Sequence, residues 1–189
     1  LDLGANAIKC VIGILHDDAQ VEIIGTGSHP AHGFDNGSVS DQEAAVKSIR
    51  ASVNEAELMA GCEIKEVLLS ISNRHMESFN SHGMARVMGP TVDIEDVHAA
   101  IDMARAVKLP AEKKVLHVVP QDYIIDGRNG ITRPLGVAGV RLETHAHVVL
   151  GTLPRLESLE QCCQRAKPSC YRFGISVASR LEAKCCHTM

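Results

Sequence analysis

The chain has 189 residues, 45% of them hydrophobic, with a net charge of −4 and a sequence pI near 6.2. That length can bury a core and accommodates one to two domains. No basic stripe runs along it, and with two Tyr, three Phe and no Trp it lacks both the charge and the stacking platforms that nucleic acid requires.

In chain order, residues 8–15 and 21–27 are apolar, β-branched runs joined by Asp17-Asp18-Ala19-Gln20, a pattern that predicts a hairpin. A loop follows over 25–37, punctuated by Pro30 and Gly33. Ser40-Asp41-Gln42-Glu43 reads as a capping box, with Ser40 and Glu43 satisfying each other's free backbone N–H groups. Val46, Ile49, Val53, Ala56 and Ala60 then make one apolar helical stripe, and Gly61 supplies the stop. Residues 67–71 read as a short buried strand.

After Asn73 the pattern restarts: a strand over 76–87, then a helix over 93–107 with Ile94, Val97, Ile101 and Ala104 inward. Two strand-like runs within 115–150 flank a loop holding Gly127, Gly130, Pro134, Gly136 and Gly139. Over 141–150, Leu142, Ala146, Val148 and Leu150 fall on one face, with Arg141, Glu143, His145 and His147 on the other. Strand, helix, strand, strand is a compact α+β unit of small-domain size. A third helix starts at Pro154, carries Leu156, Leu159, Cys163 and Ala166 inward, and ends at Pro168.

The wording of several segments carries a resemblance: Leu1-Asp2-Leu3-Gly4, the stretches 23–30 and 56–62, Phe79-Asn80-Ser81-His82-Gly83-Met84, and VLHVVPQDYIIDG followed by PLGVAGVRLE. In order and together they resemble the FtsA family of bacterial cell-division proteins, over residues 1 to about 165. The resemblance implies an α/β fold, a partial actin-like (ribonuclease-H-like) ATPase domain with an inserted small α+β subdomain. Residues 1–74 would be the first part of that domain (subdomain 1A), 75–152 the inserted subdomain (1C), and 153–189 a returning helix and a divergent tail. Lys167-Pro168-Ser169-Cys170-Tyr171-Arg172 stands where the family has a turn and strand. A change of reading frame near codon 166 would explain that departure, and the chain is read as an N-terminal fragment.

The family further implies ATP and Mg in a complete member, held between two phosphate loops. Asp2 and Gly4, with Ala5 and Asn6 after them, match the first loop, where a Gly-bounded turn offers N–H groups to phosphate and the carboxylate works through a cation or water. Ala5 and Asn6 replace the usual hydroxyl residues, and Ala7 stands where the family commonly has Lys. Lys9 is on the same side of the strand but ~6–7 Å further along, and is not given the missing role. The second loop, the FtsZ-binding surface and a C-terminal amphipathic membrane helix would lie beyond Met189, so no nucleotide binding is expected of the fragment itself. Partners implied for the complete protein are FtsZ, other division proteins and further copies of itself. No apolar run approaches the ~20 residues of a membrane span. With seven Cys in no framework spacing, a cytoplasmic setting is expected, at the inner face of the membrane in the division site for the complete protein.

No catalytic set is assigned. His145 and His147, with His117 on a neighbouring strand, are read as a sheet face and not a metal site; Cys162, Cys163, Cys170, Cys185, Cys186 and His187 lack zinc spacing. Asp122, Asp126 and Glu143 are read as solvated carboxylates and not an acid/base pair. Arg86, Met88, Arg141, Glu143 and the 127–139 loop are the expected exposed contributors to self-assembly. The other reading is an enzyme of the same superfamily, a sugar kinase or chaperone-type ATPase, which the wording of 115–143 does not resemble.

Overall fold

The computed structural model describes residues 1–71, 76–167 and 169–175. They divide into two compact units, one built from 1–71 with 153–175 and one from 76–152.

The first unit is a five-stranded sheet covered by two helices. Its strands are β1 (Asp2–Leu3), β2 (Ala7–Leu15), β3 (Val21–Pro30), β6 (Glu66–Ile71) and β11 (Ser169–Ile175), in the spatial order β11-β6-β1-β2-β3. A two-stranded ribbon, β4 (Phe34–Asp35) with β5 (Ser38–Val39), occupies the loop before helix α1 (Gln42–Ala60). Helix α3 (Leu153–Ala166) completes the unit. β1 runs antiparallel to β2 and parallel to β6, and β11 extends the parallel part. A strand therefore forms at 169–175, where the wording departs from that of the family.

Alternation in β2 decides which face is covered. Ile8, Cys10 and Ile12 are buried while Lys9 and Val11 are exposed. Val67 and Leu69 of β6 are buried in the same way, and Leu68 is 59% exposed. The covering side is α1, whose Val46, Ile49, Val53 and Ala56 are buried. Gly61 ends α1 in the left-handed region at φ 67°, which no side chain with a Cβ adopts cheaply. The N-terminus differs from expectation. Asp41 is the cap, its carboxylate accepting from the Glu43 and Ala44 N–H groups at 2.9 and 3.2 Å. Ser40 stands one residue outside, so no Ser40–Glu43 capping box forms.

Near the end of α1, Glu57 joins three segments. Its carboxylate accepts from Ile64 N–H at 2.8 Å and from the Lys167 ammonium at 2.9 Å. Burial opposes its ionisation, but the Lys167 bond and the Ile64 amide outweigh that and hold the carboxyl below its ordinary value. The folded pKa is lowered, so this stability is present above the unfolded-state value, near 4.5, and is lost as pH falls through the folded one. Glu57→Gln is expected to cost about 1–3 kcal/mol at pH 7. Its stability should also fall less on acidification, read from urea melts at pH 7 and pH 3. Equal losses in parent and variant between the two pH values would contradict the account.

The second unit is a four-stranded sheet in the order β7-β10-β8-β9, with helix α2 (Ile94–Arg105) on one face. Its strands are β7 (Glu77–Arg86), β8 (Lys113–Ile125), β9 (Arg128–Ile131) and β10 (Arg141–Thr152). Leu142, Thr144, Ala146 and Val148 are buried along β10, as the alternation predicts, with Thr144 donating its hydroxyl to Asp122 O at 3.0 Å. Val87, Val92, Val97, Ala100, Ile125 and Leu142 form the core.

Two expectations are corrected in this unit. The helix buries Asp96, Val97, Ala100 and Ala104, while Ile94 is 48% exposed. Towards the other end of the helix, a Cβ at Gly83 of β7 would stand 2.6 Å from Ala104 N; the strand and helix backbones nearly touch there, and only small residues such as Ala100 and Ala104 fit between them. The 127–139 segment is also not all loop, because Arg128–Ile131 pairs with β8 across a two-residue turn at Asp126 (φ 49°) and Gly127 (φ 81°).

Candidate functional site

The residues expected to hold a phosphate lie at the β1–β2 turn. Leu3 pairs with Ile8 and Asp2 with Lys9, so two residues, Ala5 and Asn6, lie at the exposed tip beyond Gly4 and Ala7. At Gly4 a Cβ would sit 2.7 Å from Ala7 O, so the tightness of the turn requires glycine. Asn6 O accepts from Ala31 N–H at 3.0 Å, which ties the tip to the chain leaving β3.

Asp2 is partly buried, and its Oδ1 is fully shielded without a hydrogen-bond partner among the described residues. Its Oδ2 lies 3.9 Å from where a Gly4 Cβ would be, which places the carboxylate beside the turn. A shielded carboxylate oxygen with no donor costs about 1–3 kcal/mol, and such costs concentrate where a ligand supplies the missing partner. Lys9, directly opposite Asp2, is exposed and makes no ion pair among the described residues. Counting along one strand had set Lys9 too far from residue 7 to serve. Pairing with the neighbouring strand brings it to Asp2 instead. The donor set therefore fits one side of a phosphate and cation site: the turn, the Asp2 carboxylate and the exposed Lys9 on the paired strand.

The expected assembly residues lie in the second unit. Arg86 and Arg141 are Cα partners on β7 and β10, and both are exposed. Met88 is 83% exposed just past the end of β7. Glu143 differs from expectation, its side chain being only 15% exposed because His82 binds it at 2.9 Å and Arg141 at 2.8 Å. Across the same face His145 meets Asp122 at 2.8 Å, and its ring centroid is 5.5 Å from that of His82. His147 bonds Asn80 at 2.8 Å.

Asp126 instead accepts from the Val140 and Arg141 N–H groups at 3.1 and 2.9 Å. The three carboxylates Asp122, Asp126 and Glu143 are thus engaged with different partners. Among the described residues no group of three His, Cys, Asp or Glu could share a metal ion. Cys162 and Cys163 are buried in α3, and burial, against a smaller opposing effect of Arg165, pushes the Cys162 thiol up. Cys185, Cys186 and His187 lie outside the described residues. No helix among the described residues is long and apolar enough to cross a membrane.

Residues 73–150 match the family described as the SHS2 domain inserted in FtsA. The chain is 38% identical over 165 residues to the cell division protein FtsA of Pseudomonas aeruginosa, covering 87% of this chain and 40% of that one. It is 38% identical over 149 residues to the cell division protein FtsA of Escherichia coli, covering 79% and 36%. The chain thus spans about 40% of the length of the curated relatives it matches. Among solved structures, the PilM–PilN type IV pilus biogenesis complex aligns with a TM-score of 0.58 at 16% identity, covering 92% of this chain and 46% of that one. That likeness concerns the fold alone: part of an actin-like α/β domain with an inserted small α+β subdomain.

Proposed function

We propose that this chain is part of an FtsA-type protein, a reading supported by its identity to FtsA relatives and by its match to the SHS2 domain inserted in FtsA. It belongs to an actin-like assembly protein of the bacterial division site, one that links FtsZ polymers to the cytoplasmic face of the inner membrane and recruits later division proteins. The observation that carries this reading is the insert: the chain leaves one α/β unit after 71 and returns to it at Leu153, and 73–150 between them match FtsA. The same insert counts against a sugar kinase or chaperone-type ATPase.

Self-association runs head to tail, with the exposed Arg86, Arg141 and Met88 meeting the next copy and Glu143 ordering Arg141. Such heterologous contacts build open filaments. Nucleotide tunes the contact. Asp2, Gly4, Ala5 and Asn6 form one side of its site, with Lys9 added by the strand register; ATP supplies the phosphates and Mg²⁺ neutralises them. FtsZ binding and membrane attachment, the latter through an amphipathic helix, belong to the complete protein.

A fluorescent fusion of the complete gene product, imaged with labelled FtsZ, tests the reading. A mid-cell ring that disappears on FtsZ depletion is the expected result. Diffuse fluorescence while the FtsZ ring stands would overturn it.

A further inference from the structure

Along the sequence His145 stands beside His147, but across the sheet its Cα partner on β7 is His82. The Val87 N–H donates to Val140 O at 2.8 Å, so odd-numbered residues along β7 turn their main-chain groups towards β10. His82 and His145 therefore form a non-hydrogen-bonded pair, the kind in which antiparallel strands come closest and opposed side chains meet.

Each ring is held by a carboxylate. His82 Nε2 lies 2.9 Å from Glu143 Oε2, and His145 Nδ1 lies 2.8 Å from Asp122 Oδ1. A carboxylate only accepts, so a neutral ring carries its proton on the nitrogen facing it. His82 Nδ1 and His145 Nε2 are then left with free lone pairs. A carboxylate on one ring nitrogen and a lone pair on the other is the arrangement of a metal-ligating histidine. The two ring centroids are 5.5 Å apart. With metal–nitrogen bonds of ~2.0–2.1 Å, a shared ion lies about 3.2 Å from each centroid, so the centroids can stand at most about 6.4 Å apart. The pair is within that reach, and both rings are about half exposed, which admits water.

We propose that His82 and His145 form a two-imidazole site for a divalent transition-metal ion, Zn²⁺ foremost, with Glu143 and Asp122 orienting the rings. Among the described residues no set of three His, Cys, Asp or Glu converges on one point, so water fills the remaining positions. The two carboxylates also offset the charge an ion brings beside Arg141, which Glu143 holds at 2.8 Å. Imidazole suits zinc, whereas Mg²⁺ takes oxygen ligands, so this site is independent of the nucleotide reading. β7 ends its sheet, and among the described residues β10 is its one strand neighbour. The ion ties that edge strand to β10 at a position where no main-chain bond joins them.

The test adds Zn²⁺ to the full chain and follows each imidazole by nitrogen NMR of labelled histidine. Before metal, His82 should be the Nε2–H tautomer and His145 the Nδ1–H tautomer. Zn²⁺ should then move His82 Nδ1 and His145 Nε2 together, while His147, bonded to Asn80 in a neighbouring row, stays in place. Mg²⁺ should move neither ring. His82→Gln and His145→Gln, both at exposed positions, should each weaken Zn²⁺ at least tenfold, with circular dichroism showing that the fold is kept. The double variant should lose little more than either single one, because each ligand depends on the other. Asp122→Asn should cost about tenfold through the orientation of His145. The opposite tautomers, shifts confined to one ring, additive losses in the double variant, or both rings unmoved at saturating Zn²⁺ would overturn the proposal.

Discussion

Gly27→Ala is expected to destabilise the first unit by more than about 3 kcal/mol, at or beyond the upper end of ordinary overpacking costs. β3 passes directly beneath α1, and a Cβ at Gly27 would collide with Ser52 O and stand 2.8 Å from Ala56 N. Those are main-chain atoms inside a helix, so no rotamer change relieves the overlap. Either α1 lifts off the sheet, opening the packing around the fully buried Ile8, Ile49 and Val53, or β3 moves from its place beside β2. Gly25 repeats the constraint two residues earlier, where a Cβ would be 2.8 Å from that of Ala60. Against a typical total of about 5–15 kcal/mol, such a loss unfolds much of the population. Urea melts followed by circular dichroism measure it. Gly61→Ala is the control: open space surrounds that position, so only its left-handed backbone resists, at about 1–2 kcal/mol. A Gly27→Ala melt within 1 kcal/mol of the parent would show that β3 and α1 are not in backbone contact.

A contact of the same kind in the second unit bears on what was and was not legible in the sequence. Apolar periodicity placed α1, α2 and β10, and in α1 the apolar stripe is the buried one. In α2 it is so only in part: Val97 and Ala104 are buried and Ile101 packs against the core, but Ile94, at the first helical position, is 48% exposed, while Gly83 brings β7 so close that Ala100 is buried as well. Hydrophobicity ranks candidates for burial, but the distance between backbones selects among them. The α1 cap was misplaced by one residue because Ser40 and Asp41 both have capping side chains, and only the observed start at Gln42 chooses Asp41. The β9 hairpin had a local signal, Asp126-Gly127, that the abundance of glycine after it obscured.

The β1–β2 turn was legible in its residues and not in its register. Asp2 and Gly4 stand out as a turn motif, whereas Lys9 acquires meaning only when the two-residue tip sets it opposite Asp2. The shielded, unpartnered Asp2 Oδ1 has no sequence signature at all, since it depends on what the fold packs around one oxygen atom.

That oxygen and Lys9 set the second large expectation. In the complete protein, Asp2→Asn should weaken Mg-ATP binding by about 100-fold and Lys9→Met by at least tenfold, about 2.8 and 1.4 kcal/mol at tenfold per 1.4 kcal/mol. Stability should move the other way or not at all. A shielded carboxylate without a donor opposes folding, so Asp2→Asn is neutral or stabilising without nucleotide. Lys9 is exposed with no ion pair among the described residues, so its methionine variant should melt with the parent. Calorimetry with Mg-ATP and melts without it separate the two effects. A residue that merely shapes the turn would lose stability and affinity together, whereas one that waits for a ligand loses affinity alone. The double variant adds a further check: if carboxylate and ammonium act on the same bound phosphate and cation, their losses should fall short of additive. Strict additivity would place Lys9 outside the site. Unchanged affinity in Asp2→Asn would remove the β1–β2 turn from nucleotide binding altogether.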